Sequence, residues 1–77
     1  MIEWVRINGS RAIRAVGIDR GGSVTPIRLF VQFKRSGRTY VYKPGNTGYF
    51  DRFVAAASKG RFYVRVIKAR FDYVAKY

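Results

Sequence analysis

The chain has neither cysteine nor histidine. Without cysteine, no disulfide can staple the fold and no thiolate site can hold zinc. Without histidine, it lacks the commonest metal ligand and the commonest general base near neutral pH. Acids are scarce: Glu3, Asp19, Asp51 and Asp72 are the only four, and no spacing forces two of them together. The phosphate-loop patterns G-x-x-x-x-G-K-[ST] and G-x-G-x-x-G are both missing. The expectation is therefore a protein that is not an enzyme, with no catalytic residue, no metal and no cofactor. No apolar run approaches the ~20 residues that a membrane span needs. The opening MIEWVRINGSR is too mixed for a signal peptide. A cytoplasmic protein with no membrane partner is expected.

What is present is positive charge. Sixteen Lys and Arg against four acids give a net charge of +12 on 77 residues. Such an excess costs stability through self-repulsion and spreads a positive field over the surface. The partners it implies are polyanions, nucleic acid first and an acidic protein surface second. The length allows one domain, residues 1–77, with a small core. Aromatic residues make up 17% of the chain, which argues against disorder.

Along the chain, "IEWVRI" reads as a short strand or arm, with Ile2, Trp4 and Arg6 on one side and Val5 and Ile7 on the other. "AIRAVGI", Ala12 to Ile18, is a second strand. Asp19 to Ser23 is a loop, in which Gly21-Gly22-Ser23 is read as a plain turn in preference to a phosphate nest. In "TPIRLFVQFK", Ile27, Leu29, Val31 and Phe33 alternate with Arg28, Phe30, Gln32 and Lys34, the signature of a half-buried strand. "RSG" turns the chain back into "RTYVYK".

Tyr40 and Tyr42 share a face of that strand, because residues i and i+2 point the same way. Which face depends on the turn. A two-residue loop at Ser36-Gly37 sets Phe33 opposite Tyr40 and Val31 opposite Tyr42, on the apolar side. A three-residue loop with Gly37 as a bulge sets the tyrosines with Gln32 and Phe30 on the other side. Both remain open. Thr47 to Ala57 is amphipathic, with Phe50, Phe53, Val54 and Ala57 at helical spacing and Asn46 or Thr47 as N-cap. Residues 61–69, RFYVRVIKA, suit a strand by β-branched content. They suit a helix, capped by Ser58, by the grouping of Phe62, Val66 and Ala69.

The ordered set of Ser10, Gly17-Ile18-Asp19, Phe33 to Gly37 and Tyr40-Val41-Tyr42 resembles the KTSC domain. So do Ala56-Ala57-Ser58-Lys59-Gly60, Phe62-Tyr63, and Ile67 with Phe71. The resemblance covers roughly residues 10–73. That family is named for the C-terminus of some lysyl-tRNA synthetases, and also occurs as small free-standing proteins of bacteria and their phages. The sequence departs from the family pattern in "KPGNTGY" after the YVY strand, in a longer loop after Asp19, and in Val64, where Asn is common. The resemblance implies RNA binding. It also implies an α+β fold: an antiparallel three- to four-stranded β-meander followed by two C-terminal helices packed on one face. It tips residues 61–69 toward helix.

Two basic patches are candidates for function. One is the hairpin, with Lys34, Arg35, Arg38 and Lys43. The other is the last helix, with Lys59, Arg61, Arg65, Lys68 and Arg70. Phe33, Phe50, Phe53 and Phe62 are assigned to the core, while Tyr40, Tyr42, Tyr63 and Tyr73 are amphipathic. The expected function is a non-catalytic, strongly basic nucleic-acid-binding module, with RNA favoured over DNA. Binding would be phosphate-dominated with weak sequence readout. Its residues would be Arg35, Arg38, Tyr40, Tyr42, Lys43, Arg61, Arg65 and Lys68. The alternative is a small adaptor, for instance a phage-encoded modulator, docking on an acidic protein surface. Its mark would be an exposed apolar patch around Ile2, Trp4 and Tyr77.

Overall fold

The computed structural model describes residues 1–77. Four antiparallel strands come first: β1 (Glu3–Arg6), β2 (Ile13–Asp19), β3 (Arg28–Phe33) and β4 (Thr39–Tyr42). Helix α1 (Gly48–Ala55) and helix α2 (Lys59–Phe62) follow, and α2 widens into a π-helical segment, Tyr63–Lys68. The architecture is the expected α+β meander with its helices on one face. One strand is added: β5 (Ala75–Lys76) pairs with β4 and completes a five-stranded sheet in the order β1-β2-β3-β4-β5. No helix is long and apolar enough to cross a membrane.

The inner face of the sheet builds the core. Val5, Val16, Val31 and Tyr40 stand in one cross-strand row, and Ile18, Leu29 and Tyr42 in the next. Phe50 and Phe53 from α1 and Ile67 from the π-helical segment seal this layer. Phe53 and Ile67 are fully buried, and each apolar side chain of that kind contributes about 1.5–3 kcal/mol by leaving water. Helix α1 is shorter than Thr47–Ala57. Thr47 holds the N-cap position but makes no side-chain cap bond. Asn46 Oδ1 instead accepts the Gly48 N–H at 2.9 Å. Ser58 Oγ accepts the Arg61 N–H at 3.4 Å, the expected cap of the second helix.

The hairpin register differs from both expected alternatives. The β3–β4 loop spans Lys34 to Gly37. Gly37 N–H donates to the Phe33 carbonyl (3.1 Å) and Phe33 N–H donates to the Arg38 carbonyl (2.9 Å). Gly37 takes φ +70°, a left-handed conformation that glycine adopts without a Cβ penalty. Val31 therefore opposes Tyr40, and Leu29 opposes Tyr42. This is a two-residue slip from the Ser36-Gly37 turn, and a slip of two leaves side chains on the same face. Both tyrosines point to the apolar, helix-covered side.

The outer face carries one unusual row: Trp4, Gly17, Phe30, Val41 and Ala75 align across all five strands. Phe30, on the side of β3 read as polar, is buried, as is Val41. Trp4 lies 5.7 Å from the Phe30 ring, centroid to centroid, and Arg28 covers that ring while pairing with Asp19. The indole rests on bare backbone at Gly17, where a Cβ would come 2.9 Å from both Ile2 Cγ2 and Trp4 Cε3. Gly17→Ala is therefore expected to lift Trp4 off the sheet. It should cost about 1–3 kcal/mol, measured by urea unfolding, with a red-shifted emission from the single tryptophan. Unchanged emission and stability would show that the contact is not needed.

Candidate functional site

An open groove of about 1160 Å³ lies where the β3–β4 hairpin meets the loop before β2 and the end of the π-helical segment. Its wall is aromatic. The rings run edge to face from Tyr73 to Tyr40 (4.9 Å), Phe33 (5.5 Å), Tyr63 (5.1 Å) and Tyr42 (6.3 Å). Edge-to-face pairs of this kind place positive ring edges on negative faces and are worth about 0.5–1.5 kcal/mol each beyond area burial. Its rim is cationic, with Arg11, Lys34, Arg35 and Lys68, and one acid, Asp72, also lines it.

Local bonds hold these parts together. Ser10 Oγ accepts the Ile13 N–H at 3.1 Å, folding the turn that presents Arg11. Lys34 ties the hairpin to that turn, its N–H donating to the Ala12 carbonyl (2.8 Å) and its ammonium to the Ser10 carbonyl. Tyr42 and Tyr63 join hydroxyl to hydroxyl at 2.6 Å, linking the sheet to the π-helical segment. Burial pushes the Tyr42 hydroxyl well above the ordinary tyrosine range, and its hydrogen bond to Tyr63 acts in the same direction. Tyr42 is therefore neutral at physiological pH.

Of the residues expected to bind nucleic acid, Arg35, Tyr40, Tyr42 and Lys68 line the groove. Arg38, Lys43, Arg61 and Arg65 are solvent-exposed but stand outside it. Arg61, Arg65 and Lys68 of the expected last-helix patch do not fall in one line, because a π-helical segment turns each residue through a smaller angle than an α-helix does. The same geometry buries Ile67 and leaves Ala69 exposed, which reverses part of the expected helical grouping. Phe33 is half-buried and joins the groove wall instead of the sealed core. Arg11, Tyr63, Phe71, Asp72 and Tyr73 were absent from the expected set. Tyr63 and Tyr73 were visible as amphipathic aromatics, but the pairing of β5 that brings Tyr73 beside Tyr40 had no signal in the sequence.

A smaller polar pocket of about 270 Å³ adjoins the groove, lined by residues 8–12 and 57–60, with Arg11 and Ala12 shared between the two. Gly21-Gly22-Ser23 forms a turn: Gly21 N–H donates to Asp19 Oδ1 (3.0 Å) and Gly22 N–H to the Thr25 carbonyl (3.1 Å). Asp19 also accepts from Arg28, and these two bonds hold its carboxyl below the usual carboxylate range.

A five-stranded antiparallel meander with two helical segments closing one face, and an aromatic groove at its hairpin end, defines a small α+β domain. Residues 9–71 match the KTSC domain family, and the chain belongs to it. A protein of Tsukamurella paurometabola is 36% identical over 66 residues, spanning 86% of this chain and 91% of that one. The crystal structure of a KTSC domain protein from Yersinia pestis superposes with a TM-score of 0.76 at 28% identity, covering 100% of this chain and 96% of that chain.

The Tyr42 environment gives a pH dependence with a definite sign. In the unfolded chain tyrosine ionises near pH ~10, while folded Tyr42 stays protonated well beyond that. Its contribution to stability is full below the unfolded value and is lost as pH rises through and above it. Urea midpoints should fall as pH rises above about 10, and the fall should be shallower in Tyr42→Phe. Equal slopes in the two proteins would mean that Tyr42 ionises normally when folded.

Proposed function

We propose that this protein is a non-catalytic nucleic-acid-binding module that receives single-stranded RNA in the aromatic groove. The observation that supports this is the combination in one groove of a continuous wall of rings with a rim of Arg11, Lys34, Arg35 and Lys68. A single strand offers both of the things such a groove can use. Its phosphates release counterions on meeting Lys and Arg, and its unstacked bases present π-faces to aromatic side chains. Stacked bases in a duplex are closed to the rings, so a duplex engages the charge alone. RNA is preferred to DNA on the strength of what the family resemblance implies. Readout of sequence is weak, since every base has a π-face and every nucleotide a phosphate.

Charge balance supports the same reading. The only ion pairs are Arg20–Glu3 and Arg28–Asp19, so the other cations stay available to an outside anion. The competing reading, docking on an acidic protein, expected one apolar patch from Ile2, Trp4 and Tyr77. Trp4 and Tyr77 are exposed, but Trp4 belongs to β1 and Tyr77 follows β5, the two opposite edges of the sheet.

Fluorescence anisotropy with labelled single-stranded RNA, duplex RNA and single-stranded DNA at two salt concentrations tests the proposal. Single-stranded RNA should bind most tightly, with a log–log salt slope of several units. Each of Lys34→Ala, Arg35→Ala and Lys68→Ala should flatten that slope by about 0.7, and Arg61→Ala less. Tyr73→Ala should weaken binding by about 1–3 kcal/mol with little change of slope. Absence of binding to all three nucleic acids at low salt would end this reading.

A further inference from the structure

Asp72 is out of place in the groove. It is the one acid among the lining residues, is exposed, and makes no ion pair with any of the four cations around it. Beside a phosphate a carboxylate is repulsive, so a strand seated in the groove turns some other group toward it. Its chain neighbour Tyr73 is 48% exposed and lines the same groove, its ring held edge to face against Tyr40 at 4.9 Å. Lys76 Nζ stands 5.9 Å from the centre of the Tyr73 ring. Because Asp72 and Tyr73 line one groove, a base that stacks on the ring can turn its hydrogen-bonding edge to the carboxylate. An ionised carboxylate only accepts hydrogen bonds. Among the four bases, guanine alone offers two parallel donors on one edge, its ring N1–H and its 2-amino group. Adenine and cytosine offer one amino group, and uracil one ring N–H.

Resting on the nucleic-acid reading above, we propose that Asp72 and Tyr73 form a selective position for one unpaired guanine, with Tyr73 stacking the base and Asp72 accepting from its N1–H and 2-amino group. This adds a single discriminating position to a groove that otherwise recognises charge and ring faces. The repulsive side of the same carboxylate contributes to selectivity, because a base without paired donors leaves the repulsion between Asp72 and the strand's phosphates without a compensating bond.

Short oligouridylates carrying one central guanosine, inosine, adenosine or uridine, titrated against the full chain by anisotropy, separate the possibilities. Inosine keeps N1–H and lacks the 2-amino group. Guanosine should bind at least about fivefold tighter than uridine, the lower end for a bidentate contact, with inosine between them. Asp72→Asn should erase the guanosine preference and tighten binding of the all-uridine strand. Equal affinity for all four in the native protein, or a guanosine preference that survives Asp72→Asn, overturns the inference and leaves the nucleic-acid reading standing. Failure of every strand to bind overturns both.

Discussion

The register of the β3–β4 hairpin is the constraint on which the rest depends. A loop running from Lys34 to Gly37, closed by the bond from Gly37 N–H to the Phe33 carbonyl, sets Tyr40 opposite Val31 and Tyr42 opposite Leu29. An odd slip would turn both tyrosines out to the uncovered face and turn Val41 in. The edge-to-face series would then lose Tyr40 and Tyr42, leaving Tyr73 detached from Phe33, and the hydroxyl pair between Tyr42 and Tyr63 could not form. One left-handed glycine and one turn thus determine whether the sheet has an aromatic groove at all.

The same register reconciles two demands on the tyrosines that look opposed. A chain of this length needs aromatic area in its core, and a binding groove needs aromatic area in reach of solvent. Tyr42 is buried and Tyr40 half-buried, yet both line the groove. This is possible because the helices cover only part of the inner face. Phe53 and Ile67 seal one part, and the end beside the hairpin is left open between Lys34–Ser36 and Lys68–Tyr73. Cations cluster at that opening even though the chain already carries a large like-charge excess. Their mutual repulsion is a standing cost in the free protein, and a bound polyanion relieves it.

Much of this fold was legible in the sequence, because its signals are local. Alternation in Ile27–Lys34 located β3 and its inner face. The spacing of Phe50 and Phe53 located α1, while the second helix, for which Ser58 was a possible cap, was favoured over a strand only by the family resemblance. What escaped depends on pairing between distant segments or on departures from ideal geometry. Strand β5 is two residues long and exists because Thr39 and Tyr77 exchange backbone bonds across the sheet edge. Nothing in "VAKY" announces that. The π-helical widening at Tyr63–Lys68 rotates Lys68 out of line with Arg61 and Arg65, so the expected last-helix patch named cations that stand outside the groove. Phe30 looked like the exception on a polar face, because the covering Trp4 and the bare Gly17 beneath it lie on other strands.

The residues that carry the family resemblance divide by role once their contacts are known. Ser10, Asp19 and Ser58 spend their side-chain oxygens on backbone N–H groups at Ile13, Gly21 and Arg61. Gly17 gives way to an indole, and Gly37 takes a conformation that suits glycine. Val64, where the family commonly has Asn, is exposed and outside the groove, so its change from a polar residue leaves the groove's chemistry untouched. Among these positions the aromatic Phe33, Tyr40, Tyr42, Tyr63 and Phe71 reach the groove, together with Lys34, Arg35 and Ser36 inside the Phe33–Gly37 segment. The shared pattern therefore describes a way of building one ring-lined cleft. The charged residues around it, Arg11, Lys34, Arg35, Lys68 and Asp72, are not hallmarks in the same sense. In that division of labour the hallmark aromatics build the wall of the cleft, and residues outside the hallmark pattern, Arg11, Lys68 and Asp72 among them, set the charge at its rim.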